Sequence, residues 1–531
     1  MMDFPLTLDV ILRRAETIHG DRPVVSRLED KSLHRYTYAQ MAQRAKQLAT
    51  GLQSLGVNPG DPVATLCWNH YRHLEAYFGV PLSGAVLHTL NLRLHSDDLA
   101  HIVNEVQDKV LIVDKSLLDI WHQFESQVNV SHVVVVSDDN IVPEGTLGYE
   151  DLLSMGQPTT EGLPELKENQ AASMCYTSGT VGKPKGVVYS HRALTLHTLG
   201  AGLTNAFELR EEDCILPAVA MFHVNCWGFP YLAAMIGAKL FLTGPHLDAE
   251  SLLDAFHSEK VTVAAGVPTI WHAVLNKLDE NPQRYELSAL RKLFVGGAAT
   301  PKSLMQEFQQ RHNLRLVPAW GMTETTPIGT ISNTRAEPFG SPDEEDFTRR
   351  VRQGSPVPFV EIRARGTEGI IPWDGKTMGE LEVRGPWIAK AYYKRPDASD
   401  RFTKDGWFRT GDIVSIESNG SMKIEDREKD LIKSGGEWIS SLDLENAIMS
   451  HPAVAEAAVI AVPHSKWSER PLAAVVVVAG KTVTAEELRD FLQPLVAKWW
   501  IPDSFKFIDE IPKTSVGKFA KAALRKRFVE S

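Results

Sequence analysis

Cysteine is scarce. Cys67, Cys175, Cys214 and Cys226 are the only four in 531 residues, and they form neither a CxxC pair nor a His-flanked metal spacing. A disulfide framework or a zinc site is therefore not expected, and a reducing compartment fits this usage. No uninterrupted apolar run reaches the ~18 residues that crossing a bilayer requires, so no transmembrane segment is expected. The first twenty residues, MMDFPLTLDVILRRAETIHG, lack the basic segment and apolar core of a secretory leader. The expected location is the cytoplasm. Basic excess is absent too: 56 Lys and Arg against 67 Asp and Glu leave a net charge of -11, which argues against nucleic acid or an anionic membrane as the main partner. Any anion this chain binds needs a local site.

What is present is a balance of 43% hydrophobic and 23% charged residues, that of a globular protein, on a chain too long for one ordinary core. Helical spacing in LDVILRRAETI and YAQMAQRAKQLATGLQSLG alternates with short β-branched runs. Those runs are PVVSRL, VATLCW, residues 86–90, KVLIVD, HVVVVSD, AKLFLTG, VTVAAGVP and LRKLFVGG. This rhythm predicts a layered α/β body over residues 1–428. Residues 332–358 are polar and turn-rich and are expected to be an exposed connection. EIRAR, GELEVRG and DIVSIE alternate with period two and predict a small antiparallel β subdomain. From residue 429 to 531 two helical and two strand-like segments predict a separate, mobile α+β domain. The boundary is placed in the charged stretch DREKD.

Residues 176–186, YTSGTVGKPKG, combine glycines that let backbone amides approach an anion, hydroxyls that donate, and lysine charge. This composition suits a polyphosphate. It is not a GxxxxGK[ST] loop, because no Ser or Thr follows Lys183 or Lys185. Four further segments follow in order: WGMTE at 320–324, TGD at 410–412, DREKDLIKSGGEWIS at 426–440 and PKTSVGK at 512–518.

With these five motifs at their spacing, the chain resembles the adenylate-forming superfamily of acyl-CoA synthetases, carrier-protein adenylation domains and beetle luciferases, over nearly its whole length. The resemblance implies activation of a carboxylate by ATP to an acyl adenylate, then transfer to a thiol. It implies that Thr177, Ser178, Gly179, Thr180, Gly182 and Lys185 hold phosphates. Val181 is a departure, standing where a hydroxyl residue is usual. Gly297, Ala298, Ala299, Trp320 and Gly321 would lie along the nucleotide, with Asp412 and Arg427 at the ribose and phosphates. Glu324 would contact Mg²⁺, Thr323 the α-phosphate, and Lys518 both reacting anions. Lys429 falls at the hinge of the C-terminal domain. His223, Trp227 and Gly228 fall at the acyl pocket, His223 beside the carboxylate.

The chain ends 13 residues after Lys518, so a free thiol is favoured over a fused carrier protein, and coenzyme A is the implied acceptor. Gly435, Gly436 and Trp438 would line its channel. MFHVNCWGFPY, AWGMTETTPIGT and KSGGEWISS are similar to 3-(methylthio)propionate-CoA ligases first, and to medium- and long-chain fatty-acyl-CoA synthetases second. Luciferase-like oxidation and a noncatalytic nucleotide-binding homologue rank behind both. A homodimer is suggested by similar synthetases.

Overall fold

The β-branched runs pair into sheets whose order the sequence does not declare. The computed structural model describes residues 1–177, 183–332, 347, 349–434, 437–513 and 519–529. Among them four sheets form. A seven-stranded sheet runs Leu147–Gly148, His132–Val136, Val110–Asp114, Pro62–Leu66, Val86–Thr89, Ala171–Tyr176, Gly186–Ser190. It is parallel except for its last pair, Ala171–Tyr176 and Gly186–Ser190, which form an antiparallel hairpin. A nine-stranded sheet has Lys292–Val295 and Leu316–Gly321 side by side and parallel. Its far edge is Pro23–Arg27 and Leu33–Thr37, antiparallel to each other. The central strands are buried on both faces, as in Val110–Asp114 and Lys292–Val295, which explains why they read as continuous apolar runs.

The connection expected to be exposed is drawn partly into this body. Residues 333–346 and 348 lie outside the described residues, but Phe347 and Val357 are buried, and Ser355–Pro356 pairs with Ile328–Ile331. The correction has a physical cause: a turn-rich stretch still places its few apolar side chains where they leave water.

The third sheet is the antiparallel β subdomain, in order Gly369–Ile370, Glu361–Gly366, Gly379–Arg384, Phe408–Ile416, Met422–Arg427. The C-terminal sheet holds Ile432–Ser434, Glu437–Ile439, Val454–His464, Ser468–Val477 and Ser504–Phe507. It has two cores of its own, one around Ile448, Val459 and Leu488, the other around Ile460 and Leu524. The second helix there stops at Leu492, two residues before Pro494, which cannot continue it. Its start is fixed by a capping box between Thr484 and Glu487. No helix among the described residues is long and apolar enough to cross a membrane.

This topology places the site. Thr177 follows strand Ala171–Tyr176, Gly296–Ala299 follow Lys292–Val295, and Trp320–Gly321 end Leu316–Gly321. In parallel sheets the crevice beyond the carboxyl ends of the strands is the usual ligand position.

Candidate active site

A cleft of about 560 Å³ opens there, walled by residues of the α/β body, the β subdomain and the C-terminal segment. One part of its wall is the hairpin neck at Thr177 and Lys185. The Thr177 amide donates to the Lys185 carbonyl at 2.9 Å, and the Lys185 amide returns to Thr177 Oγ1 at 3.0 Å. Gly186 is needed at that neck, because a Cβ there would lie 2.9 Å from the Tyr176 ring. Ser178, Gly179, Thr180, Val181 and Gly182 lie outside the described residues. Lys185 turns back over the Tyr392 ring, its ammonium 5.0 Å from the centroid, a cation–π placement.

Tyr392 also donates its hydroxyl to Glu324 Oε1 at 2.5 Å. Glu324 is buried, and burial pushes its carboxyl above the usual range, while the Tyr392 hydroxyl, Arg427 and Lys185 oppose that rise. Its short turn, Thr323–Thr325, is pinned by Tyr189, whose hydroxyl donates to the Thr323 carbonyl at 2.8 Å. A hard cation that bridges phosphates takes one or two carboxylates and keeps several waters. Glu324, a buried carboxylate on the cleft wall, fits that donor set.

The cleft wall also carries a three-residue chain. Trp320 Nε1 donates to Asp412 Oδ2 at 2.9 Å, and Arg427 Nε meets Asp412 Oδ1 at 2.7 Å. Asp412 and Arg427 are direct neighbours across two antiparallel strands. The Trp320 ring lies against Gly329, where a Cβ would come within 2.3 Å of it. Two bonds leave a carboxylate further acceptor positions, so Asp412 is oriented without being saturated. Gly297 has φ +81°, which glycine adopts without strain, and Gly321 packs against the Pro327 carbonyl, 2.1 Å from a hypothetical Cβ.

His223 and Trp227 face the cleft from the two ends of an unusual turn. Val224, Asn225, Cys226 and Trp227 have φ of +42°, +52°, +52° and +54°, followed by Gly228 at +78°. This is one turn of left-handed helix, at roughly 1–2 kcal/mol for each non-glycine residue. Trp227 reaches across to the glycine end of the neighbouring strand, where a Gly296 Cβ would stand 3.0 Å from the ring. Gly228 does not line the cleft. It faces His197, whose ring would meet its Cβ at 2.6 Å and whose pKa burial lowers to about 3.

From the C-terminal domain, Phe519, Ala520, Lys521, Ala522 and Arg525 complete the wall. Lys518 lies outside the described residues, as do Gly435 and Gly436. Trp438 sits away from the cleft, 42% exposed, with Lys433 4.8 Å over its ring. Lys429 lines the cleft, and burial lowers its pKa. Thr177, Lys185, His223, Trp227, Gly297, Ala298, Ala299, Trp320, Gly321, Thr323, Glu324, Asp412, Arg427 and Lys429 thus converge on one cleft.

Tyr392, Asp426, Glu445, Lys521 and Arg525 share that wall without having been singled out in the sequence. Lys521 and Arg525 carried one signal, an i,i+4 cationic pair on one helix face. Among the described residues one Cys–His–Asp group has ligand atoms close together: Cys67, His70 and Asp114. It does not suit a metal. His70 Nδ1 accepts the His73 amide at the start of a helix, which leaves the proton on Nε2, 2.8 Å from Asp114. A ligating Nε2 needs the proton on the other nitrogen.

Sequence comparison agrees with the geometry. Residues 12–393 match the AMP-binding enzyme family and residues 443–518 match the AMP-binding enzyme C-terminal domain. The chain belongs to the AMP-binding enzyme family. Among its relatives is a long-chain-fatty-acid–CoA ligase of Thermus thermophilus, 48% identical over 533 residues, 99% of this chain and 96% of that protein. A 3-methylmercaptopropionyl-CoA ligase of Ruegeria pomeroyi is 39% identical over 534 residues, covering 99% and 98%. The fold is also that of the anthranilate CoA ligase AuaEII solved with anthranoyl-AMP, at TM-score 0.89, 24% identity and coverage of 99% and 98%.

Proposed function

We propose that the protein is an AMP-forming acid–thiol ligase that joins a short apolar carboxylic acid to coenzyme A, with 3-(methylthio)propionate as the acid. In the first step a carboxylate oxygen forms a bond to the α-phosphorus of ATP and pyrophosphate leaves. In the second, the coenzyme A sulfur bonds to the acyl carbon, AMP leaves, and the thiol proton goes to solvent. Both reactants of the first step are anions, so the residues must place positive charge and donors between them. Lys185, Arg427 and Lys518 are assigned to that task, with Thr323 at the α-phosphate and Asp412 at the ribose. Mg²⁺ would neutralise phosphate charge, and Glu324 would hold it. Lys429 is assigned as the hinge, with the domain boundary between residues 428 and 429. Trp438, Gly435 and Gly436 are assigned to the coenzyme A channel. A cytoplasmic location and a homodimer belong to the same reading. Four buried, unpaired cysteines support the first, and light scattering tests the second.

The observation that carries the choice of acid is the apolar part of the cleft lining. Phe207, Val224, Trp227 and Ile328 line the cleft with uncharged side chains, and Trp227 packs so near Gly296 that a Cβ there would stand 3.0 Å from its ring. Such a lining favours an uncharged acyl tail, and the packed Trp227 favours a short one. The second reading, a medium- or long-chain fatty acid, is favoured by the 48% identity to the Thermus enzyme; it requires Trp227 to leave Gly296. The test is coenzyme A-dependent AMP release with propionate, 3-(methylthio)propionate, octanoate and palmitate. An optimum in kcat/KM at 3-(methylthio)propionate is expected. An optimum at palmitate replaces the first acid by the second, and no pyrophosphate–ATP exchange with any acid rejects the ligase reading.

Lys518→Ala is expected to cut acid-dependent pyrophosphate exchange by at least ~10³-fold, the scale of a lost charge contact in a transition state. Thioester formation from supplied acyl adenylate is expected to stay within about threefold of wild type.

A further inference from the structure

The left-handed turn 224–228 has to be held by something, and the holder is a buried amide. Asn225 is fully buried, and its Oδ1 accepts from Ser173 Oγ at 3.0 Å and Cys175 Sγ at 3.7 Å. The Cys175 sulfur is approached in return by the backbone amides of Val224 and Asn225, and Thr89 Oγ1 lies 3.2 Å from it. A second fastening is Cys226, whose thiol donates to the Val219 carbonyl at 3.2 Å. Ser173 and Cys175 sit on Ala171–Tyr176, the strand that leads directly into Thr177. One strand therefore fixes both the hairpin neck and the turn that bears His223 and Trp227.

We propose that Asn225 is a positioning residue for the acid: its bond to Ser173 holds the turn left-handed, so that His223 and Trp227 stand where carboxylate and tail are selected. Asparagine suits the place twice, since it tolerates positive φ better than most residues and its side-chain oxygen can accept from Ser173 while its backbone N–H approaches the Cys175 sulfur. The amide group, and not the backbone preference alone, carries the proposal. This inference rests on the acid-ligase reading for its consequence, while the fastening itself is independent of it.

Three variants of the full-length protein separate the possibilities. Asn225→Ala removes the acceptor and the tolerance of positive φ. Asn225→Gly restores the tolerance without the acceptor. Ser173→Ala leaves Asn225 intact and deletes its hydroxyl donor, keeping only the longer Cys175 contact, a mild change in a strand that keeps its ladder. Hydrogen exchange of the amides in residues 222–229 is read in the absence of substrates, and kcat/KM is read across the acid panel together with KM for ATP. Expected are exchange at least tenfold faster in Ser173→Ala and Asn225→Gly, and a change of at least fivefold in the kcat/KM ratio of octanoate to 3-(methylthio)propionate. KM for ATP is expected to stay within twofold. Unchanged exchange in Ser173→Ala, or an unchanged acid ratio in both Ser173→Ala and Asn225→Gly, overturns the proposal, whatever Asn225→Ala does to folding. A wild type inert toward every acid strikes the ligase reading instead, and the exchange measurement then still decides the fastening.

Discussion

Tyr392 and Glu324 form the most exacting pair at the residue scale. A buried carboxyl pushed above its usual pKa is ionised only above that raised value, so its capacity to hold a cation is lost as pH falls through it. The Tyr392 hydroxyl opposes the rise by donating at 2.5 Å. Tyr392→Phe removes that donor, and the Glu324 carboxyl moves further up. The acid limb of kcat/KM for ATP is expected to shift toward higher pH by about one pH unit, equivalent to ~1.4 kcal/mol of lost hydrogen bond. A pH profile of variant and wild type checks it, and superimposable acid limbs would remove Glu324 from the essential ionisations. The place of Glu324 and Trp320 on the cleft was legible in WGMTE, and that of Asp412 and Arg427 in TGD and DREKD, because each motif brings its residues in consecutive positions. Tyr392 was not. AYYK has no pattern that marks it, and its partners Glu324 and Lys185 lie 68 and 207 positions away, on segments that only the fold brings together. Asn225 was illegible for another reason: no spacing rule announces a left-handed turn of non-glycine residues.

Elements were legible where burial writes a period into them. The β-branched runs became strands and the amphipathic segments became helices close to the expected bounds. Pairing was not, because a run such as PVVSRL does not specify that its strand joins Lys239–Leu242, more than two hundred residues on. The helix Lys521–Phe528, which lies outside the two helical segments expected in the tail, shows what the sequence concealed. Lys521 extends into a pocket of acids, 2.6 Å from Glu445 Oε1 and 2.5 Å from Ser441 Oγ, while the Ser441 amide donates to Asp426 Oδ2 at 2.6 Å. Burial pushes the Glu445 carboxyl up to about 7, and Lys521 and the Val459 amide resist that rise. Lys521→Met keeps the stem and deletes the ammonium, leaving Glu445 and Asp426 buried beside no cation. A loss of ~3–5 kcal/mol of stability is expected. The sign of its pH dependence follows from linkage. A carboxyl with a raised folded pKa binds its proton more tightly folded than unfolded, so stability falls as pH rises from the ordinary carboxyl range through the raised value. Without Lys521 that window extends upward, and the deficit of the variant is expected to be larger at pH 8 than at pH 6. Urea midpoints at the two values measure it, and an equal deficit at both would show that the ammonium does not set the Glu445 charge.

At the scale of the whole molecule, the described arrangement presents one face of the C-terminal domain to the cleft and keeps another away. Segment 519–525 lines the cleft while Trp438 stands on the surface. On the proposed division at residue 429, a set of polar contacts crosses the boundary. Lys423 meets Asp443 at 2.8 Å, Asp426 caps the helix beginning at Ser441, and the Ser440 hydroxyl donates to the Glu425 carbonyl. Every one of them joins strand Met422–Arg427 to the start of helix Ser441–Met449, so all would be lost together if the domain turned about Lys429. They therefore favour the described orientation, which on the proposed function is the one that serves the adenylation step. Lys423→Glu sets a third carboxylate beside Glu425 and Asp443, a like-charge cluster that the described orientation holds together and a turned domain relieves. The coupling between such states is worth typically 1–3 kcal/mol, so acid-dependent pyrophosphate exchange is expected to fall about tenfold while thioester formation from supplied acyl adenylate stays within about twofold. Measuring both half-reactions on the same preparation decides the matter. An equal fall in the two would make the Lys423–Asp443 pair a support of the fold alone, and a fall confined to thioester formation would assign these contacts to the other orientation.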